Sequence, residues 1–224
     1  MPELNGRFDL SSTHHIAAIN FEAGDHAMPQ HPLDVDLALR AAGIAWEKYP
    51  YLEHRYGERG RRFTDSDGCW LFTLARVPEE IAVTKSLEWL RIVLASRGIP
   101  TVILEFHLRA ILQVIGTKSG KQRSARIQFD PFLSDRNSER RRLFGADGRS
   151  RLIDMFDQRF RVCTGFKVES AAELVASAWV DEHSGMTGSL SSLCSWFTDG
   201  ERFSTDWIAS VHELLVELDR VHGQ

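Results

Sequence analysis

Between Pro78 and Gly116 the chain repeats apolar residues at helical spacing and punctuates them with helix-ending glycines. Val83, Leu87, Leu90 and Leu94 follow one another at steps of four, three and four, which lines them along one face of an α-helix. Pro78 suits a first helical position, and Glu79 and Glu80 complement the positive end of the helix dipole. Gly98 predicts a left-handed cap, with Pro100 beyond it. A second periodic run, Thr101 to Ile115, is closed by Gly116. So short a link between two helices predicts an antiparallel hairpin.

Asp34 predicts an N-cap for a helix running to Tyr49, interrupted by Pro50. A short helix with a tight exit is expected over Tyr51–Phe63, which contains Gly57 and Gly60, and a capping-box pair at Thr64 and Asp67 precedes Trp70 and Phe72. A polar loop is expected at Thr117–Ser124, then helices at Asp135–Phe144 and Arg151–Phe160. Ser170 and Glu173 predict a capping box for a helix to His183, and shorter and longer helices follow at Leu190–Phe197 and Asp206–Val221. The expectation is an all-α fold, a single bundle-like domain of eight or nine helices over residues 34–224, with a candidate sub-boundary near 117–124. Residues 1–33 lack this periodicity and read as an irregular arm, with His15–Phe21 as a short strand or docking segment.

Composition bounds the function classes. Six Trp, thirteen Phe and 43% apolar residues supply a core. No apolar stretch approaches the roughly 20 residues that span a bilayer, so no membrane partner is expected. Three widely spaced cysteines predict no disulfide framework, and Met1–Leu10 lacks the basic and apolar regions of a signal peptide. A cytoplasmic location is the expectation. The net charge of −4 is unevenly spread: residues 118–167 hold 13 basic and 6 acidic side chains, the remainder 14 and 25. Such a basic segment either attracts an acidic partner or pairs with the chain's own carboxylates.

Three constellations are candidates for function. Tyr51, His54, Arg55, Tyr56, Arg59 and Arg62 form a compact aromatic and basic cluster that fits a ligand, a partner or the reactive site of an enzyme around residues 53–62. Its competing reading is structural, with Glu53, Glu58, Asp65 and Asp67 as ion-pair partners. His107 stands alone in the apolar arc of its helix, which is how a helical sensor ligates haem or another cofactor, and equally how a core histidine sits. Arg140, Arg141 and Arg142 could meet phosphates or an acidic protein surface, although no DNA-binding helix-turn-helix accompanies them.

Catalytic motifs fail on spacing. Gly116–Lys121 has three residues between its glycines where a phosphate loop needs four, no G-x-S-x-G elbow occurs, and neighbouring Glu–His pairs point apart on a helix rather than toward one metal. The arm histidines His14, His15, His26 and His31 match no zinc spacing. The leading expectation is therefore a non-enzymatic helical regulatory or protein-interaction module, with another protein as partner. A haem- or cofactor-binding sensor and an enzyme with an unfamiliar site are the alternatives.

Overall fold

The computed structural model describes residues 19–23, 28–77, 80–116, 120–145 and 148–222. Among them the chain is all-α, with nine helices and no strand: α1 (Pro32–Lys48), α2 (Tyr51–Leu74), α3 (Glu80–Ser96), α4 (Thr101–Ile115), α5 (Gly120–Phe144), α6 (Gly148–Val162), α7 (Ala171–His183), α8 (Ser189–Phe197) and α9 (Thr205–His222). No helix of the described residues is long and apolar enough to cross a membrane. The helices gather into two compact units, one of residues 1–83 and 106–129, the other of 84–105 and 130–224.

In the first unit, α1 and α2 pack through small residues. Ala38, Ala41, Ala42 and Ala45 are buried along α1, and Gly68 of α2 comes so near that an added Cβ would stand 3.2 Å from Ala42 Cβ and 3.3 Å from the Ala38 carbonyl oxygen. α1 begins earlier than the sequence suggests. His31 is its N-cap, accepting the Leu33 N–H on Nδ1 at 3.2 Å, and Pro32 occupies the first turn. Asp34, expected as the cap, is instead buried inside that turn and paired with Arg76 at 2.5 Å.

The break expected near Gly57 is real but local. α2 runs on to Leu74 across a kink at Gly57, whose φ of 54° and ψ of −151° belong to a region open essentially to glycine. Thr64 and Asp67 therefore lie inside a helix rather than at its start, and the Thr64 hydroxyl donates back to the Gly60 carbonyl at 3.1 Å. We expect Gly57→Ala to lower the free energy of unfolding by about 1–3 kcal/mol. Gly43→Ala is the contrast: it sits in ordinary helix, where an added Cβ meets only the Arg61 side-chain end at 3.4 Å, and should gain roughly 0.5–1 kcal/mol. Urea titration of both variants reads the difference, and equal effects would show that Gly57 is not held in its kink.

Of the expected strand His15–Phe21, residues 19–21 belong to a turn over 19–23 that docks on α2; residues 15–18 lie outside the described residues, as does Pro78. Ile19 and Asn20 are buried, and the Asn20 amide donates to Ser66 Oγ at 3.5 Å.

In the second unit, α6, α7 and α9 pack against one another, and α7 also carries α8. Two helix starts here are completed by side chains from elsewhere in the chain, as the orphan N–H groups of a helix N-terminus require. Asp181 Oδ2 accepts from Thr101 N at 2.8 Å and Ser177 Oγ from Val102 N at 3.1 Å, so one turn of α7 caps α4. Glu182 accepts from the N–H groups of Gly188 and Leu190 at 2.9 and 3.1 Å, capping α8 and holding its own carboxyl below the usual range.

Two further expectations are corrected. Ser170 does not cap α7 with its side chain: it adopts a left-handed conformation, φ 61°, with no cap hydrogen bond. The helix expected from Asp135 starts at Gly120 and carries Pro131 in its interior, so part of the expected loop at 117–124 is helical. Gly98 and Gly116 do end their helices with positive φ, as predicted, and Gly185 follows α7 in the same conformation.

Candidate interaction surface

Most of the side chains picked out on α2 are engaged within the molecule. Tyr51 is fully buried, its hydroxyl accepts from Arg55 at 2.5 Å, and it lies 3.4 Å from the Tyr56 hydroxyl. The Arg55 guanidinium lies over both rings, 5.8 Å from Tyr51 and 5.3 Å from Tyr56. Burial pushes the Tyr51 phenol well above its usual range, which makes it a poor proton donor to a reaction. Arg59 and Arg62 turn to the docked arm instead: Arg59 meets Glu22 at 2.6 Å, and Arg62 meets it at 3.4 Å while lying over the Phe21 ring. The hydrogen bond from Arg59 leads in holding the Glu22 carboxyl below its ordinary value. His54 is exposed on the same helix. Here the structure joins Tyr51, Arg55 and Tyr56 in one cluster, with the two rings edge to face, and it assigns Arg59 and Arg62 to a clamp on residues 21–22.

His107 is buried against α2. Its Nε2 has no hydrogen-bond partner among the described residues, and a Cβ on Gly68 would stand 3.2 Å away. Burial, reinforced by the charge of Arg61, lowers its pKa to about 4, so the imidazole is neutral. A macrocycle on this nitrogen would have to part α2 from α4. No group of three His, Cys, Asp or Glu side chains among the described residues could hold a metal ion. His14, His15 and His26 lie outside those residues, as do positions 117–119 of the glycine-lysine loop. Burial also drives the Cys69 and Cys194 thiols up to about 12 and about 11, far from a reactive thiolate.

The basic segment divides in two. Arg140 forks onto the buried Glu105, with one hydrogen bond of 2.8 Å, and Arg136 meets Glu88 and Glu139, each at 3.2 Å. Arg141 and Arg142 are exposed and have no partner among the described residues.

A further feature was not singled out by the sequence: an open groove of 710 Å³ between α6 and α9. The two helices are antiparallel. Gly148 abuts Val221, whose Cγ1 would stand 3.5 Å from an added Cβ, while at the other end Arg159 donates to Ser210 at 3.2 Å and Thr164 N to Asp206 at 2.8 Å. Leu152 and Phe156 form the floor, and Met155 and Val216 stand in the groove 50% and 64% exposed. Beneath the floor, Phe160 packs on Trp207 at 4.5 Å, so these walls rest on core. Arg159 pairs with Glu213 across the groove, and Arg220 pairs with Glu217 at 2.8 Å. From Gly148 to Arg159 the groove runs roughly 16 Å, about three helical turns.

The signal that would have found it is an apolar residue on the wrong face. Val216 lies off the stripe of Trp207, Val211, Leu214 and Leu218 that α9 buries. Met155 sits four residues from both Arg151 and Arg159, on the outward side of α6.

No family model, no curated protein and no solved structure matches this chain.

Proposed function

We propose that this chain is a non-enzymatic helical interaction module that receives an apolar helix of a partner protein in the α6–α9 groove. The observation that carries this reading is the pair Met155 and Val216, exposed between ion pairs on a floor of core side chains. Large apolar side chains left open in a concave, charge-rimmed groove are the usual mark of helix-in-groove recognition. The three-turn span suits anchors at i, i+4, i+7 and i+11 of a docked helix. The other candidate surface, the α2 cluster, supports this assignment by being occupied with its own contacts.

Selection of helical peptides from a displayed random library against the full chain tests the reading. Selected peptides should lose at least about tenfold in affinity, some 1.4 kcal/mol, on Met155→Asp or Val216→Asp, and lose nothing on Arg55→Ala. Binding that ignores both groove variants and falls with Arg55→Ala would transfer the docking surface to α2. Failure to select any groove-dependent binder would sink the proposal.

A further inference from the structure

We infer that the occupant of the α6–α9 groove is an acidic amphipathic helix, an inference that rests on the docking reading above and adds the partner's charge. The side chains along the groove include three arginines, at 151, 159 and 220, and two glutamates, at 213 and 217. Both glutamates are already committed, Glu213 to Arg159 and Glu217 to Arg220. Arg151 has no partner among the described residues, four residues before Met155 and at the Gly148 end.

Arg151, without a partner among the described residues, thus stands beside the apolar strip at that end. Among the described residues, Glu213 and Glu217 are the carboxylates that line the groove. Asp219 accepts from Trp179 Nε1 at 2.8 Å, and Asp154, Asp157 and Asp219 are not among the side chains along the groove.

Charge complementarity then decides among occupants. A second copy of this chain would bring the same excess of positive charge to the groove and set like charges together. An acidic helix supplies carboxylates to Arg151, and guanidinium forks bind carboxylates in pairs of hydrogen bonds. Its apolar face covers Met155 and Val216.

The test uses two labelled peptides of about four helical turns with identical apolar positions. One carries Glu and the other Lys at the flanking positions, and each is titrated with the full chain by fluorescence anisotropy. The Glu peptide should bind at least about tenfold tighter, with the advantage shrinking as salt is raised and vanishing in Arg151→Glu. Arg151→Gln should give an intermediate result, and circular dichroism checks that both variants are folded. Equal binding of the two peptides, lost in Met155→Asp, would overturn the charge inference and leave the groove reading standing. No Met155-dependent binding of either peptide would overturn both. A dimer in sedimentation that dissociates on Val216→Asp would place a second copy in the groove, and the inference would again be wrong.

Discussion

Arg91→Ala should lower the free energy of unfolding by about 3–5 kcal/mol, the cost of leaving a buried carboxylate without its countercharge. Arg91 is buried in the second unit, and all three nitrogens of its guanidinium are used. Nε donates to Thr101 Oγ1 at 2.9 Å, and one terminal nitrogen reaches Glu139 at 2.9 Å and Asp181 at 3.4 Å. The other approaches Glu88 at 3.4 Å. Asp181 has no exposed surface, and burial already pushes its carboxyl up against the pull of Thr101 and Arg91. With alanine at 91 that carboxylate loses its cation and must either take a proton or stay charged in a poor solvent. Asp181→Asn, added to Arg91→Ala, keeps an acceptor for Thr101 N and removes the charge, so it should recover part of the loss. Chemical denaturation of the two variants measures this coupling. Simple additivity of the two losses would mean that Arg91 and Asp181 do not act as one network.

Acidification should cost the folded chain about 3 kcal/mol at His107 alone between pH 6.5 and pH 4. The sign follows from where each state binds its proton. In the unfolded chain the imidazole titrates near 6.5, whereas burial holds the folded value at about 4. Above pH 6.5 both states are neutral and the group contributes nothing. Below it the unfolded chain binds a proton that the folded chain refuses, and stability falls until the folded value is reached. His107→Leu fills a similar volume and leaves no unpartnered nitrogen, so it should erase this slope. At pH 5 it should stand about 2 kcal/mol above the parent protein, beyond any difference at pH 8. Matching slopes in the two proteins would show that the imidazole is not held neutral. A haemin Soret band that disappears in His107→Leu would instead make this residue an axial ligand and revive the sensor alternative.

Local signals in this sequence were readable wherever one residue's own conformation decides the outcome. Gly98 at φ 80° ends α3 because a left-handed residue there costs glycine little. The all-α character follows from apolar spacing repeated over many turns. Signals that depend on distant partners were not readable. Four arginines between 55 and 62 look like a recognition patch in sequence, yet two of them hold Glu22, 37 and 40 residues away. Nothing local distinguishes an arginine that waits for a ligand from one that grips its own chain. Ser170 has the spacing of a capping box, but its left-handed backbone gives the side chain no such role, and nothing in the structure explains that choice. The start of α5 was hidden by Gly120 and Pro131, both poor helix residues on propensity alone. His107 was legible as a buried side chain, while its neutrality depends on Gly68 and Arg61 from another helix.

The cap that Ser177 and Asp181 place on α4 sets an order of events during synthesis. The bond from Thr101 N to Asp181 spans 80 residues of chain. On a ribosome adding roughly 5–20 residues per second, α4 emerges about 4–16 s before the side chains that finish its first turn. Through that interval the nascent helix lacks the side-chain acceptors for its first N–H groups. A chain truncated before residue 177 would leave the N–H groups of Thr101 and Val102 without these acceptors for good.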